Sequence, residues 1–229
     1  MSPSHRIIWF VTFGAVGLAL LVLAVRHAGD GSAETLYNLG SLHAQRGEFD
    51  AAEAAYRKSI ALKPDWSQPY NGLGVLLARY AQGRRGEAEE ALRKAILLDP
   101  TRARPHSDLA VLLRAMGRIT EAEQPAKEAL RLDPEDLGAN NNYGNLLVVL
   151  GKYDESEAYF RKAISLDPEQ AKPYYNLGCL HALRGEEELA LDELQQAFEI
   201  EPSLREDAAQ DPDLGELRKL TSFQNLLKH

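Results

Sequence analysis

The chain has 229 residues, of which 45% are hydrophobic and 7% aromatic, and its 34 acidic and 26 basic residues give a net charge of −8. This length allows one folded domain and an appendage. The acidic balance disfavours nucleic-acid binding, which requires a basic surface. The single cysteine, Cys179, excludes an internal disulfide and a multi-cysteine zinc site.

The N-terminal region differs in composition from the rest. After a short tail over residues 1–6, the stretch from Ile7 to Val25 has 19 residues without a charge and carries aromatic residues near its start. A helix of this length spans a bilayer core, and aromatic rings favour the membrane interface. We therefore expect a transmembrane anchor over 7–25 and a linker over 26–32. A cleaved signal peptide fits less well, because Leu23–Arg26 lacks the usual small-x-small cleavage pattern.

The charges that flank this stretch bear on its orientation. Arg6 precedes it, whereas Arg26 is followed by Asp30 and Glu34. The positive-inside tendency then weakly favours a cytoplasmic N-terminus. The expected location is a single-pass position in a bacterial inner membrane, with the rest of the chain on the periplasmic side.

A period of about 34 residues organises the chain after residue 32. The recurring prolines are Pro64, Pro100, Pro134, Pro168 and Pro202, with spacings of 36, 34, 34 and 34, and the small residues Gly40, Gly74, Ala110, Gly144 and Gly178 keep the same rhythm. In the first copy, three leucines form one helical stripe, Gly47 ends that helix, and a second helix runs from Asp50 to Leu62, before Pro64. The pattern predicts a stack of helix pairs.

With Leu39, Gly40, Ala52, Tyr56 and Pro64 in their places, this unit resembles the tetratricopeptide repeat. The resemblance implies an all-α fold, namely a right-handed superhelical solenoid of five helix-turn-helix units followed by C-terminal capping helices. The units span 33–66, 67–102, 103–136, 137–170 and 171–204, and the capping region spans 205–229. Gly40 stands where a side chain would hold the two helices of a unit apart.

Three local features depart from the regular unit. The second copy has two extra residues in its turn, Ala81–Gly86, which should lengthen a surface turn without shifting the core. Pro125 lies inside the second helix of the third copy and predicts a bend there. Near the end, Asp211 is expected to cap a helix with Pro212 in its first turn, and the following leucines and Phe223 should cover the exposed face of the last unit.

The motifs of catalysis are missing from the sequence. It has no phosphate-binding loop, nucleophile elbow or paired metal-ligand spacing, so we expect a non-enzymatic protein with no cofactor and no metal site. His43 and His181 fall at the same phase of two units that are four steps apart, and we expect both to be hydrogen-bonded core residues. Cys179 is expected to be a small packing residue.

The resemblance further implies that the first helices of successive units line a concave groove. Ser107 and Val111 fall at such positions, as do the residues that we predict to bind a peptide: Tyr37, Asn38, Asn71, Arg79, Arg104, Arg114, Asn141, Asn142, Asn145, Lys172, Tyr175 and Asn176. Side-chain amides offer donors and an acceptor to an extended backbone. Asparagines at these positions also bond helices to one another within a scaffold, and the sequence leaves both roles open.

We therefore expect a membrane-anchored scaffold that holds a protein or peptide partner, acidic or extended, in its groove. Tyr37, Tyr175, Arg104 and Arg114 are the expected anchors, because aromatic and arginine side chains dominate binding energies. Two alternatives are a structural subunit that forms homo-oligomers through its convex face or its ends, and an assembly factor that delivers substrate to a neighbouring enzyme. Anchored proteins of this kind act in the second way in cytochrome assembly.

Overall fold

The computed structural model describes residues 31–81 and 83–228, which form helices and turns and no strand. The chain divides into two compact units, the first ending at Leu98 and the second beginning at Asp99. The first unit contains α1 (Ala33–Gln45), α2 (Phe49–Leu62), α3 (Ser67–Tyr80) and α4 (Arg85–Leu98). The second contains α5 (Ala103–Ala115), α6 (Ile119–Leu132), α7 (Leu137–Val149), α8 (Tyr153–Leu166), α9 (Ala171–Arg184), α10 (Glu187–Ile200), α11 (Leu204–Gln210) and α12 (Thr221–Leu226).

Helices that are consecutive in the chain pack as pairs, two in the first unit and three in the second. The expected all-helical architecture is confirmed. No helix in the described part of the chain is both long enough and apolar enough to cross a membrane. The anchor expected over 7–25 lies outside the described residues.

The helices of a pair approach closely at a glycine on the first helix. A Cβ atom on Gly40 would lie 2.7 Å from the ring of Tyr56, and one on Gly144 would lie 2.5 Å from the ring of Phe160. The corresponding glycines at positions 74 and 178 meet leucines at 2.7 Å. Each glycine therefore makes room for a large buried side chain of the second helix, as the sequence predicted for Gly40.

A repeated hydrogen bond joins the start of three of the first helices to the turn that precedes each of them. Tyr70 Oη donates to the carbonyl of the proline six residues earlier at 3.1 Å. His106 Nε2 and Asn140 Nδ2 make the same bond, at 3.2 and 3.0 Å. A phenol, an imidazole and an amide thus donate to the equivalent backbone carbonyl in three copies.

Two expected backbone features lie in the first and the third helix pair. Gly47 follows α1 with φ +75°, in the left-handed region that ends helices, which confirms its predicted role. Pro125 lies within α6, which is continuous from Ile119 to Leu132, and the bend expected there stays a prediction.

The C-terminal segment packs against the last pair. Asp211 Oδ1 accepts a bond from the amide of Asp213 at 2.9 Å, and Pro212 opens the helical turn as expected. That turn is a three-residue 3-10 helix, Pro212–Leu214, so it is shorter than the expected helix. Leu214, Leu217 and Phe223 are buried in one cluster with Phe198 of α10, which is the arrangement expected of a cap.

The lengthened turn of the second copy has a structural role that the sequence did not reveal. Arg84, in that turn, makes two parallel bonds of 2.8 Å from its guanidinium to the carboxylate of Glu53 on α2. It also binds Glu87 at 2.8 Å, and Arg57 donates to Glu53 at 2.8 Å. Arg84 therefore links the first pair to the second.

The same link recurs in the second unit. Lys152 Nζ donates to Glu123 at 2.9 Å, and Arg184 donates to Glu157 at 2.6 Å. Each bond joins a residue near the turn of one pair to the second helix of the pair before it.

The first prediction concerns the close approach at Gly144. Replacement by alanine, Gly144→Ala, should destabilise the protein by about 1–3 kcal/mol, because the added methyl group meets a fully buried ring. The control is Gly86→Ala in α4, where nothing lies within 4 Å of the new Cβ and alanine favours the helix. Thermal unfolding followed by circular dichroism should show a lower Tm for the first variant and an unchanged or higher Tm for the second. Equal melting temperatures would contradict the packing argument.

The second prediction concerns acid stability. The hydrogen bonds from Arg84 are the main reason that the pKa of Glu53 is lowered from 4.5 to about 2. A depressed folded pKa gives stability that is present above pH about 4.5 and lost as the pH falls towards 2. In Arg84→Gln, the urea midpoint should fall at pH 7 and should then drop less between pH 5 and pH 3. Arg93→Gln removes an exposed cation paired with Glu89 on its own helix. In this control, the urea midpoint should drop between pH 5 and pH 3 by as much as it does in wild type.

Candidate functional site

The predicted peptide-binding residues lie on the first helices of the pairs. In the first unit, the Tyr37 ring packs edge-on against Trp66, with 5.2 Å between centroids, and also contacts Tyr56 at 5.9 Å. Asn38 and Arg79 are exposed, and Asn71 is half-buried. Tyr37 thus serves mainly to pack the first pair on the second, whereas Asn38 and Arg79 face solvent.

Two of the predicted asparagines bind each other. Asn176 Nδ2 on α9 donates to Asn141 Oδ1 on α7 at 2.8 Å, and Asn141 is only 9% exposed. This bond ties adjacent first helices together. Of the two roles left open by the sequence, these two amides have the scaffold role.

Tyr175 is held by the C-terminal segment. Its hydroxyl donates to Asp211 Oδ2 at 2.8 Å, and the Cys179 thiol lies 3.9 Å from the same oxygen. Burial, together with Asp211, raises the pKa of both groups, so both remain protonated and act as donors. The Tyr175 hydroxyl is therefore already bonded to the protein's own tail, and the expected role of this residue as a partner anchor stays a prediction.

The two histidines of equal phase each pair with a glutamate five residues later. His181 is 1% exposed, and its Nδ1 lies 2.5 Å from Glu186, which confirms the hydrogen-bonded core role. His43 makes the matching bond to Glu48 but is half-exposed. Within the described residues, no group of three or more side chains is arranged to hold a metal ion.

A set of polar side chains without partners lies between α5 and α7 in the second unit. Ser107 is 8% exposed, and Arg114 and Asn142 are half-buried. None of these three side chains hydrogen-bonds or forms an ion pair with another residue of the described chain. They line one narrow slot, whose floor and walls are Ala110, Val111, Ala126, Ala139, Tyr143 and Leu146.

This slot is small and rich in donors. Its enclosed space is about 10 Å³, which is room for one water molecule. A guanidinium offers only donors, and a hydroxyl and an amide each add at least one. The slot is therefore suited to an anionic oxygen at its mouth, and it cannot enclose a small molecule.

The other predicted cations of the second unit lie outside this slot. Arg104 is exposed and lies 3.4 Å from Asp108 on its own helix. Lys172 is exposed and has no carboxylate within ion-pair distance among the described residues. Asn145 is half-buried on α7.

The pair architecture agrees with the match of residues 19–214 to a family model described as the cilia and flagella-associated protein 70 C-terminal domain. The chain belongs to this tetratricopeptide repeat family. No match was found among curated proteins.

Solved tetratricopeptide repeat structures share the fold. YrrB, described as having an unusual peptide-binding site, is 23% identical over 87% of this chain and 98% of its own, with a TM-score of 0.60. TTC0263 of Thermus thermophilus is 20% identical over 86% of this chain and 100% of its own, with a TM-score of 0.65. MamA of Desulfovibrio magneticus RS-1 is 20% identical over 80% and 98%, with a TM-score of 0.63. At these identities the likeness concerns the fold alone.

The third prediction separates scaffold asparagines from exposed ones. Asn176→Ala should destabilise the protein by about 1–3 kcal/mol, because it leaves the buried oxygen of Asn141 without its donor. Asn38→Ala removes an exposed amide with no bond in the described structure, so its unfolding free energy should stay within about 0.5 kcal/mol of wild type. Urea unfolding of both variants measures the difference. A neutral Asn176→Ala would show that the Asn–Asn bond adds nothing to stability.

Proposed function

We propose that the protein is a non-enzymatic scaffold that binds a segment of a protein partner on the first-helix face of its second unit and holds that partner at a membrane. The observation that carries this proposal is the convergence of Ser107, Arg114 and Asn142 on one slot without partners in the described chain. Polar groups that converge in this way usually serve a ligand, because buried or half-buried donors normally find partners within the fold.

The size of the slot favours a macromolecular partner. Small-molecule sites usually enclose about 300–1,000 Å³, far more than the roughly 10 Å³ here. A partner segment that lies across the face can place one group at the slot and use neighbouring side chains for further contacts. Exposed Lys172 and half-buried Asn145 in the same unit offer such contacts.

The membrane part of the proposal rests on the 19 uncharged residues from Ile7 to Val25. A segment of this length and composition is suited to spanning a bilayer. We propose a single-pass anchor in a bacterial inner membrane with the repeat units on the periplasmic side, so that the bound partner is kept near the membrane.

The fourth prediction tests partner binding with the full chain. Arg114→Ala combined with Asn142→Ala should reduce the yield of cross-linked partner from native membranes about tenfold or more, because two hydrogen bonds to a charged group are lost. Arg102→Ala is the matched control, since it removes an exposed arginine that does not line the slot. The readout is the quantity of the same identified partner recovered with each variant.

Equal recovery with all three proteins would contradict binding through this face. The anchor is tested on the same membranes by alkaline carbonate extraction. The full chain should stay in the membrane pellet, whereas a chain that lacks residues 1–30 should be released. Release of the full chain would remove the membrane part of the proposal and leave the binding part intact.

A further inference from the structure

Among the five helix pairs in the described part of the chain, the slot occurs at the one whose second helix has a small side chain where it faces the first helix. The positions that pack against the glycine series are Tyr56, Leu92, Ala126, Phe160 and Leu194. Four of these residues are large and fill the space between their helices. The third pair has Ala126 there, and Ala110 replaces the glycine opposite, so a space remains.

The next pair shows what this space looks like when it is filled. Phe160 is fully buried and packs with Leu177, Leu180 and Val148. The residues 34 positions before those three are Tyr143, Leu146 and Arg114, and they surround the slot beside Ala126. The slot therefore lies where the next pair places its phenylalanine ring, and a cation replaces one apolar wall.

The two pairs also differ in whether their polar side chains are hydrogen-bonded to each other. Asn141 and Asn176 satisfy each other at 2.8 Å. The residues 34 positions earlier are Ser107 and Asn142, which make no bond to each other. A serine side chain is shorter than an asparagine side chain and lacks its amide, so Asn142 loses the acceptor that its counterpart has.

Three differences between adjacent pairs thus act together. Compared with the fourth pair, the third pair has Ser107 in place of asparagine, which leaves two polar groups unpaired. It has Arg114 in place of valine, which adds a positive charge, and Ala126 in place of phenylalanine, which opens the space between them. In the fourth pair the same fold has the space filled by Phe160 and the polar groups hydrogen-bonded to each other. Helix packing alone therefore does not require the open arrangement of the third pair. The open version places the hydrogen-bond donors of Ser107, Arg114 and Asn142 around a space the size of one water molecule. The only charge among them is the positive charge of Arg114.

We infer that this slot is a specificity pocket for the carboxylate of an aspartate or glutamate side chain in the bound partner segment. The inference rests on the proposed function. The Arg114 guanidinium would donate to the carboxylate, with Asn142 Nδ2 and the Ser107 hydroxyl as further donors, in charge-assisted bonds. The complementarity of charge selects an acidic side chain, and the small volume keeps the rest of that side chain outside the slot.

The test uses a variant that copies the next pair at two of the three differing positions. Ser107→Asn combined with Arg114→Val should restore the amide pair with Asn142 and remove the charge. Circular dichroism should show that its Tm is not below that of wild type. Arg102→Ala serves again as the charge control, and Arg114→Lys keeps the charge without the planar donor geometry.

The probe is a degenerate pool of heptapeptides with blocked termini, applied to the immobilised full chain in detergent. Wild type and Arg102→Ala should enrich aspartate or glutamate at one position about tenfold to a hundredfold. Arg114→Lys should reduce this enrichment, and the copying variant should abolish it. Individual peptides that differ only in Asp against Asn at that position should show the same ratio of Kd values by fluorescence anisotropy.

The outcomes separate the two claims. Peptide binding without acidic enrichment would overturn the carboxylate pocket and leave the proposed function standing, as would acidic enrichment that persists in the copying variant. Enrichment of phosphoserine over aspartate would also overturn the pocket as a carboxylate site. Failure of the wild type to retain any peptide, together with unchanged partner recovery in Arg114→Ala/Asn142→Ala, would remove both.

Discussion

The structure depends on the close approach of paired helices at a residue without a side chain. A Cβ at Gly40, Gly74, Gly144 or Gly178 would lie within 3 Å of a large buried side chain, so the helix separation and the glycine are determined together. Because the separation is repeated, equivalent positions in successive pairs experience equivalent surroundings. A residue that differs at one of these positions can then be compared with the residues at the equivalent positions of the other copies.

The sequence was informative about this repeated framework and less so about individual partners. The period, the glycine at the close approach and the helix stop at Gly47 follow from backbone geometry that local residue types encode. The bond between Asn141 and Asn176 could not be deduced in this way, because it depends on the relative position of two helices 35 residues apart in sequence. The occupation of Tyr175 by Asp211 depends equally on where the tail folds back.

Two features left a sequence signal that is visible only in comparison. Glu53, Glu123 and Glu157 recur at the repeat spacing, and a cation from the following pair binds each of them. The alanine at 126 stands out once Phe160 and Leu194 are aligned with it. Both features emerge only when the copies are compared position by position, so the 34-residue period alone does not indicate them. The site of proposed binding arises where the repeat departs from itself.

The bond from Tyr70, His106 and Asn140 to a proline carbonyl has a consequence for how such chains diverge. The acceptor is a backbone oxygen that does not change with sequence, so the position requires a donor of suitable reach and tolerates three unrelated side chains. At His106 the partner is a carbonyl oxygen, which can only accept, so the ring nitrogen is the donor. The three residues are not identical in any pair of copies, although each donates the same hydrogen bond from a first helix to the turn before it.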